Sequence, residues 1–236
     1  MSKKIFITGT GTDVGKTFVT GLMMKKLNEN KKKSAFYKAA MSGNERGADG
    51  NLIPGDAVFV KTMSGIAQPL SEMCPYVYEA AVSPHLASRI EENPIRMDIV
   101  RQGFDALCQK YDYVTMEGSG GILCPLCFDE VKLQLEDVIK ELNLSCLLIA
   151  DAGLGTINAT TLTAAYMRSN NIPVKGIVFN RFRPGDILHE DNLKMCETMT
   201  GLKVLACVKN GDTELDISFD LLESLYESNI KRENSR

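Results

Sequence analysis

A glycine-rich segment near the amino terminus separates a short apolar run from a helical pattern. The apolar run covers residues 5–7, the glycine-rich segment residues 9–17 and the helical pattern residues 18–28, and the segment ends in Gly-Lys-Thr. Glycines at such a turn let backbone N–H groups converge on phosphate oxygens, and the helix N-terminus adds partial positive charge. The pattern predicts a strand, a phosphate-binding loop and a helix, which restricts the chain to folds that join these three elements.

The loop departs from the standard P-loop pattern at one position. That pattern has its first glycine where this chain has Thr10, and Gly9 stands one residue earlier. We interpret the segment as a variant phosphate loop, in which Lys16 bridges the β- and γ-phosphates and Thr17 contributes to Mg²⁺ binding. The predicted nucleotide-binding residues of the loop are Gly11, Thr12, Asp13, Val14, Gly15, Lys16 and Thr17. The alternatives are a plain strand-turn-helix with incidental glycines, and a dinucleotide site, for which the G-x-G-x-x-G fingerprint is missing.

Short apolar runs alternate with helical patterns along the chain. The predicted strands are residues 5–7, 35–37, 113–116, 146–149, 176–179 and 204–206. The predicted helices are residues 18–27, 97–107, 133–142, 160–167 and 187–199. Runs this apolar fit strands that are covered on both faces. We therefore predict one α/β domain over residues 1–236, with a doubly wound, mostly parallel sheet and helices on both faces, of the P-loop NTPase type.

Two segments interrupt this regular alternation. Residues 39–65 are rich in Gly, Asn and Asp, which predicts a long loop of the functional or mobile kind. Residues 228–236 are polar and charged, and we expect this tail to fray.

The composition excludes several classes of protein. The chain has 27 Lys and Arg against 30 Asp and Glu, so its net charge of −3 lacks the basic excess of nucleic-acid binders. Two histidines exclude a multi-histidine metal centre, and seven cysteines, an odd number, do not indicate a disulfide framework. No apolar stretch approaches the roughly 18 residues of a membrane span. We expect a soluble cytoplasmic protein that binds neither nucleic acid nor membrane, and we assign no role to the C-x-x-C pair Cys124 and Cys127.

Further motifs follow the phosphate loop in a characteristic order. They are Tyr37-Lys38, Ser42-Gly43, Asp56-Ala57, Ser83-Pro84-His85 and Glu117-Gly118-Ser119-Gly120-Gly121. In their order and spacing, from residue 3 to about residue 180, the chain resembles the dethiobiotin synthetases. The resemblance implies closure of a cyclic urea on 7,8-diaminononanoate (7,8-diaminopelargonate) with CO₂ or bicarbonate, ATP and Mg²⁺, in biotin biosynthesis.

The resemblance also implies roles for individual side chains. The substrate amine attacks CO₂ and the carbamate attacks the γ-phosphoryl group, so the protein supplies positive charge and alignment rather than a nucleophile. Lys16 and Lys38 are the implied catalytic cations, and Thr12 and Ser42 donate hydrogen bonds to the same anionic oxygens. The implied Mg²⁺ ligands are Thr17, Asp56 and Glu117.

Plainer alternatives exist for several of these assignments. Lys38 follows a strand at the carboxyl end, where open α/β sheets bind ligands, but it can also be an ordinary surface lysine. Ser42 can be a turn residue, and Asp56 can cap a helix that starts at the next residue. Glu117 is the stronger candidate because it ends an apolar strand and precedes Gly-Ser-Gly-Gly. We interpret His85 as a packing residue at a helix start near the substrate.

The nucleotide base is assigned to the end of another strand. Asn180 follows the apolar run 176–179, and an asparagine amide can pair with N6 and N7 of adenine. Arg183 stands where a guanine-reading loop requires an acid, which favours ATP over GTP. The plainer interpretation of Asn180 is a turn residue.

The resemblance implies a homodimer with shared active sites, because in that family a loop of the second subunit holds the substrate carboxylate. The matching residues are Gly155, Thr156 and Asn158, and Ser42 and Gly118 are also assigned to the substrate. Free N–H groups at the start of the helix that follows suit a carboxylate. The plainer interpretation is an N-cap and its turn.

Two other functions remain open at this point. One is another P-loop ATP-dependent synthetase of the cobyrinate diamide type, although no downstream glutaminase region with a Cys-His pair is found. The other is a partitioning or septum-positioning ATPase, whose loop carries a lysine where this chain has Thr10. Residues 207–210, Cys-Val-Lys-Asn, replace the Gly and Ile-Pro that border adenine in the resembling family, so we expect a different base pocket.

Overall fold

The computed structural model describes residues 1–129 and 131–228. The strands are β1 (Lys3–Gly9), β2 (Ser34–Lys38), β3 (Ala40–Met41), β4 (Tyr76–Val77), β5 (Tyr113–Glu117), β6 (Pro125–Phe128), β7 (Lys132–Gln134), β8 (Cys146–Asp151), β9 (Val174–Asn180) and β10 (Val204–Cys207). The helices are α1 (Lys16–Glu29), α2 (Gly55–Ser64), α3 (Pro84–Ile90), α4 (Met97–Lys110), α5 (Leu135–Glu141), α6 (Thr156–Ser169), α7 (Ile187–Thr200) and α8 (Phe219–Leu225). A single 3₁₀ turn covers Leu70–Glu72.

The main sheet has six strands in the order β10-β9-β8-β1-β5-β2, and neighbouring strands run parallel. Strands β5 and β2 lie on one side of β1, and β8, β9 and β10 lie on the other. The strand order therefore reverses at β1. Open α/β sheets bind ligands beyond the carboxyl ends of their strands at such a reversal, and the loop after β1 begins there.

Both faces of the sheet are covered by helices, as the sequence predicts. Successive side chains of a strand point to opposite faces. Ile5 and Ile7 of β1 pack in one apolar cluster with Leu22 of α1, whereas Phe6 packs in another with Phe104 of α4. All five side chains are fully buried. The prediction of a doubly wound, mostly parallel α/β fold is confirmed, and each of the six predicted apolar runs lies in a strand of the main sheet.

The prediction of a long loop over residues 39–65 is wrong for about half of that segment. Strand β3 pairs in parallel with β4, and α2 occupies Gly55–Ser64. The buried face of α2 consists of Ala57, Val60 and Ser64, which contribute too few apolar side chains to stand out from the Gly, Asn and Asp before them. The irregular part that remains is residues 42–54.

The predicted helix over residues 133–142 is also corrected. Strand β7 occupies the first part of that range, as the second strand of an antiparallel pair with β6, and α5 begins only at Leu135. Helix α6 begins at Thr156, four residues before the predicted start. Of the tail predicted to fray, residues 229–236 lie outside the described residues. Within residues 1–129 and 131–228, no helix combines the length and apolar character needed to cross a membrane.

Candidate active site

A cavity of about 840 Å³ lies beyond the carboxyl ends of β1 and β2. The predicted site residues that line it are Thr12, Asp13, Gly15, Lys16, Thr17, Lys38, Ser42 and Asp56. Residues 81–84 close one side, and Ser119 and Gly120 follow β5 into the wall. The structure therefore brings the predicted catalytic residues and most of the predicted phosphate loop around one space.

The loop between β1 and α1 depends on a backbone conformation that favours glycine. Gly15 precedes the first residue of α1 with φ 89°, and a Cβ atom at this position would lie 1.9 Å from Nδ2 of Asn180. Lys16 Nζ donates a hydrogen bond to the carbonyl oxygen of Gly11 at 2.8 Å, so the lysine lies back over its own loop. This is the chain geometry that a phosphate-binding loop requires.

Asn180 supports this loop from the end of β9. Its Nδ2 donates a hydrogen bond to the carbonyl oxygen of Val14 at 3.0 Å, and its side chain is buried against Gly15. Sequence reasoning assigned Asn180 to the base alone and missed this contact. The contact depends on how β9 and the loop pack, which no local pattern encodes.

A buried ion cluster lies at the ends of β2 and β5. These strands pair in register with Lys38 opposite Glu117. Lys38 Nζ donates hydrogen bonds to Glu117 Oε1 at 2.7 Å and to Asp56 Oδ2 at 2.6 Å. Lys38 is 6% exposed and Glu117 1%. The alternative of an ordinary surface lysine is therefore wrong.

The three predicted metal ligands lie together beside this lysine. Thr17 Oγ1 donates a hydrogen bond to Glu117 Oε1 at 2.8 Å and lies 3.4 Å from Asp56 Oδ1. Asp56 lies in the first turn of α2, whose N-cap is Pro54, so it does not cap that helix. Among the residues that the structure describes, no group donates a hydrogen bond to the buried Glu117 Oε2.

The two lysines of the cavity have opposite pKa shifts. Burial alone would lower the pKa of Lys38, but Glu117 and Asp56 outweigh it and raise the pKa above the usual lysine range. Burial lowers the pKa of Lys16, and the positive charge of Lys38 lowers it further. Lys38 is therefore a fixed cation, whereas the charge of Lys16 is less well compensated.

Comparison with known proteins agrees with this geometry. The family model of an AAA domain, AAA_26, matches residues 3–213. An ATP-dependent dethiobiotin synthetase, BioD, of Brachyspira hyodysenteriae is 45% identical over 96% of this chain and 100% of that protein. The protein of the same name from Clostridium perfringens is 44% identical over 96% of this chain and 99% of its own length.

The chain belongs to the dethiobiotin synthetase family.

Solved structures of other P-loop ATPases share the fold of this dethiobiotin synthetase family member. A chain of the MinC:MinD cell division complex of Aquifex aeolicus covers 94% of this chain and 86% of its own length, with a TM-score of 0.56 and 14% identity. A ParA family ATPase of Chlorobium tepidum covers 89% and 84%, with a TM-score of 0.53 and 13% identity. These likenesses concern the fold alone, so they do not favour the partitioning-ATPase alternative over the synthetase.

Of the five predicted substrate residues, Ser42 lines this cavity and the other four lie apart from it. Gly118 does not line it, since a Cβ atom there would lie 2.7 Å from Leu135 and 3.0 Å from Phe6. Gly155 caps α6 with φ 91°, Thr156 begins the helix, and Asn158 is exposed. Within one chain these residues are not brought together with the lysines, and their roles stay predictions.

Arg181 and Cys124 are among the cavity-lining residues that sequence reasoning did not assign to the site. Arg181 follows β9 and reaches the phosphate loop through its guanidinium group, and the sequence holds no signal for it beyond its place after Asn180. Cys124 also lines the cavity, and burial raises the pKa of its thiol. Cys127 is buried, and both cysteines are free thiols. His85 lies at the start of α3, as predicted, with Nδ1 3.0 Å from Ser83 Oγ.

We expect Gly15→Ala to weaken ATP binding by more than about tenfold. The new Cβ atom would collide with Asn180, and residue 15 has a left-handed backbone conformation that favours glycine. Gly201→Ala is the matched control. Gly201 has φ 73°, but apart from its chain neighbours no atom of the described residues lies within 4 Å of a Cβ atom placed there. Calorimetric titration with ATP measures both variants, and equal affinities would show that the collision does not matter.

Proposed function

We propose that this chain is an ATP-dependent dethiobiotin synthetase, which closes a cyclic urea on 7,8-diaminononanoate with CO₂ and ATP. The proposal rests on one observation above all. Lys38 is fixed on the two carboxylates beside a phosphate loop in the same cavity as Lys16. The full-length similarity to curated dethiobiotin synthetases supports the same reaction.

The chemistry asks the protein for positive charge and alignment. A substrate amine attacks CO₂, which gives a carbamate and releases a proton. A carbamate oxygen then attacks the γ-phosphorus of ATP with release of ADP, and the second amine displaces phosphate to close the ring. Negative charge develops on oxygen atoms in each step, so donors fixed in advance stabilise the transition states.

The residues of the cavity suit these demands. Lys38 is held by Asp56 and Glu117, so its ammonium needs little reorganisation to face the carbamate. Lys16 begins α1 beside the loop and faces the phosphoryl group. Thr12 and Ser42 line the same cavity. The Ser42 hydroxyl donates a hydrogen bond to the carbonyl oxygen of Val82 at 2.6 Å, so it donates to a ligand only after leaving that acceptor.

The carboxylates and hydroxyl of the site fit Mg²⁺. This ion prefers oxygen ligands and usually takes one or two carboxylates together with phosphate oxygens. Glu117 Oε1 and Asp56 Oδ1 lie 2.8 and 3.4 Å from Thr17 Oγ1. Glu117 Oε2 has no hydrogen-bond partner among the described residues and is an available acceptor. When bound there, Mg²⁺ supplies charge neutralisation of the phosphate oxygens.

Adenine recognition is assigned to the region of Asn180. Its Nδ2 already donates a hydrogen bond to Val14, so loop support and base recognition share one side chain. The segment after β10 begins at Val208, whose N–H donates to Phe179 and whose carbonyl accepts from Phe182. The Cys-Val-Lys-Asn sequence is thus held to the strand that ends in Asn180.

A homodimer with shared sites accounts for the separation of the substrate residues from the cavity. Gly155, Thr156 and Asn158 lie at the start of α6, and the partial positive charge of a helix N-terminus suits the carboxylate of the diamine. Leu154 beside them is 91% exposed and Leu162 is 62% exposed. These apolar side chains support a contact with a second copy at this end of the helix.

A cytosolic location agrees with the chemistry of the cysteines. All seven cysteines are free thiols in the described chain, and four of them are buried. Unpaired thiols of this number suit a reducing compartment. Cell fractionation with activity measured in each fraction checks the assignment, and activity in an oxidising compartment would contradict it.

We expect ADP release to depend on both the diamine and bicarbonate, with one cyclic urea formed for each ADP. Coupled ADP measurement and mass spectrometry of the product follow the two quantities, and Mg²⁺ is titrated in the same assay. ADP release that ignores the diamine, or that occurs without a cyclic urea, rejects the function and favours a switch ATPase.

Lys38→Ala and Lys16→Ala should each lower kcat by at least about a hundredfold, the range for loss of one fixed transition-state donor. Lys203→Ala is the control, because the Lys203 side chain is 80% exposed and pairs with Glu197 at 3.8 Å, far from the residues of the cavity. Circular dichroism verifies that each variant is folded. A near-normal rate in the Lys38 variant removes this residue from the mechanism.

Mixing two inactive variants tests the shared site. Lys16→Ala impairs the phosphate loop, and Thr156→Trp blocks the start of α6, where Thr156 is buried. After subunit exchange, a mixed dimer contains one site free of both changes, so the mixture should regain up to about a quarter of wild-type activity. No recovery, with mixed dimers demonstrated by mass spectrometry, means that each chain carries its own complete site.

A further inference from the structure

Arg181 occupies an unusual position at the edge of the cavity. It follows β9 directly and has φ 57°, a left-handed conformation that costs energy for a residue other than glycine. Its side chain lines the cavity and is 44% exposed. No step of the reaction described above uses this side chain.

The guanidinium group joins two loops. Nη1 donates a hydrogen bond to Asp151 Oδ2 at 2.5 Å, and Nη2 donates one to the carbonyl oxygen of Asp13 at 2.6 Å. Asp13 lies in the phosphate loop, and Asp151 ends β8. One planar side chain therefore connects the nucleotide loop to the start of the segment that leads to α6.

Asp151 also contacts the turn before α6, through the Gly153 N–H. Burial raises the pKa of Asp151, but the hydrogen bonds from Arg181 and from the Gly153 N–H outweigh burial and lower it, so the carboxylate is charged. Its Oδ1 accepts the hydrogen bond of Gly153 N–H at 2.8 Å. From the other side, Asn192 of α7 donates to the carbonyl oxygens of Ala152 and Gly153 at 2.9 and 3.0 Å.

The turn fixed in this way places the residues assigned to the substrate carboxylate. The Thr156 N–H donates to the carbonyl oxygen of Gly153, and Gly155 caps the helix. Displacement of Asp151 would therefore move the start of α6. The phosphate loop, Arg181, Asp151 and this turn form one continuous chain of hydrogen bonds.

We propose that Arg181 is a positioning residue that couples the phosphate loop to the turn before α6, and thereby sets the affinity for the diamine. The inference rests on the proposed function, in which the start of α6 binds the diamine carboxylate. When active sites are shared, α6 of each chain contributes to the site of its partner. Arg181 then links ATP in the cavity of its own chain to the diamine that α6 of the same chain binds in the partner's site.

Steady-state kinetics separate this role from direct phosphate binding. Arg181→Met should raise KM for the diamine at least about tenfold, as expected for loss of a charge-assisted hydrogen bond, with a smaller change in kcat. Arg181→Lys should restore only part of the affinity, because one ammonium group does not reproduce the two hydrogen bonds that the planar guanidinium group donates to Asp151 and Asp13. A rise in the ATP dissociation constant alone, with the diamine KM within twofold of wild type, overturns the proposal.

Two further variants test the route through Asp151. Asp151→Asn should raise the diamine KM by a similar factor, and the double variant with Arg181→Met should be no worse than either single one. Fully additive effects contradict a shared route. Arg183→Met is the matched control, since Arg183 pairs with Asp186 at 2.8 Å and does not line the cavity. Its diamine KM should match that of wild type.

Hydrogen exchange gives a readout that does not require activity. In Arg181→Met, backbone amides of residues 151–156 should exchange at least about tenfold faster than in wild type, and those of the Arg183 control should not change. If wild-type protein forms no cyclic urea, the proposed function fails, and the exchange result alone decides whether Arg181 couples the two loops. Unchanged exchange in residues 151–156 rejects the coupling.

Discussion

The buried contact between Lys38 and Glu117 is the interaction on which the arrangement of the active site depends. Strands β2 and β5 end in register at these residues, so the sheet itself places ammonium and carboxylate 2.7 Å apart. Removing both charges from water costs several kcal/mol per ion, which the pair recovers only with additional hydrogen bonds. Asp56 and Thr17 supply them. A buried ion pair is weak evidence for a stabilising role. Because this pair lies beside the phosphate loop, a role in function explains its presence better than a role in stability.

The phosphate loop is supported from both sides of β1. On one side, Thr17 at the start of α1 donates to Glu117 at the end of β5. On the other side, Asn180 at the end of β9 donates to the Val14 carbonyl, and Arg181 to that of Asp13. Because the supporting groups end strands of one sheet, the loop conformation follows from the sheet rather than from the loop alone. The reversal of strand order at β1 makes this two-sided support possible.

The sequence predicts the sheet well because its strands are covered on both faces and are therefore apolar throughout. Glu117 stands out for a related reason, since it is an acid that ends an apolar run, whereas Lys38 is assigned through the family resemblance. The sequence does not predict α2, because Ala57 and Val60 are too few to form a clear pattern. The contact of Asp56 with Lys38 depends on that helix. The contacts of Asn180 and Arg181 depend on how separate strands pack, which no local spacing records.

The two lysines of the cavity have opposite pKa shifts, so they differ in how they respond to an anion. Lys38 touches two carboxylates, so it stays charged and its field is largely compensated before any ligand arrives. Lys16 touches only the Gly11 carbonyl oxygen in the contacts described, and burial and Lys38 disfavour its charge. A phosphate close to Lys16 favours the charged form of that lysine. In the proposed reaction, triphosphate binding and protonation of Lys16 would therefore reinforce each other, and the charge of Lys38 would remain for the carbamate. The two lysines differ because Asp56 of α2 and Glu117 of β5 both contact Lys38.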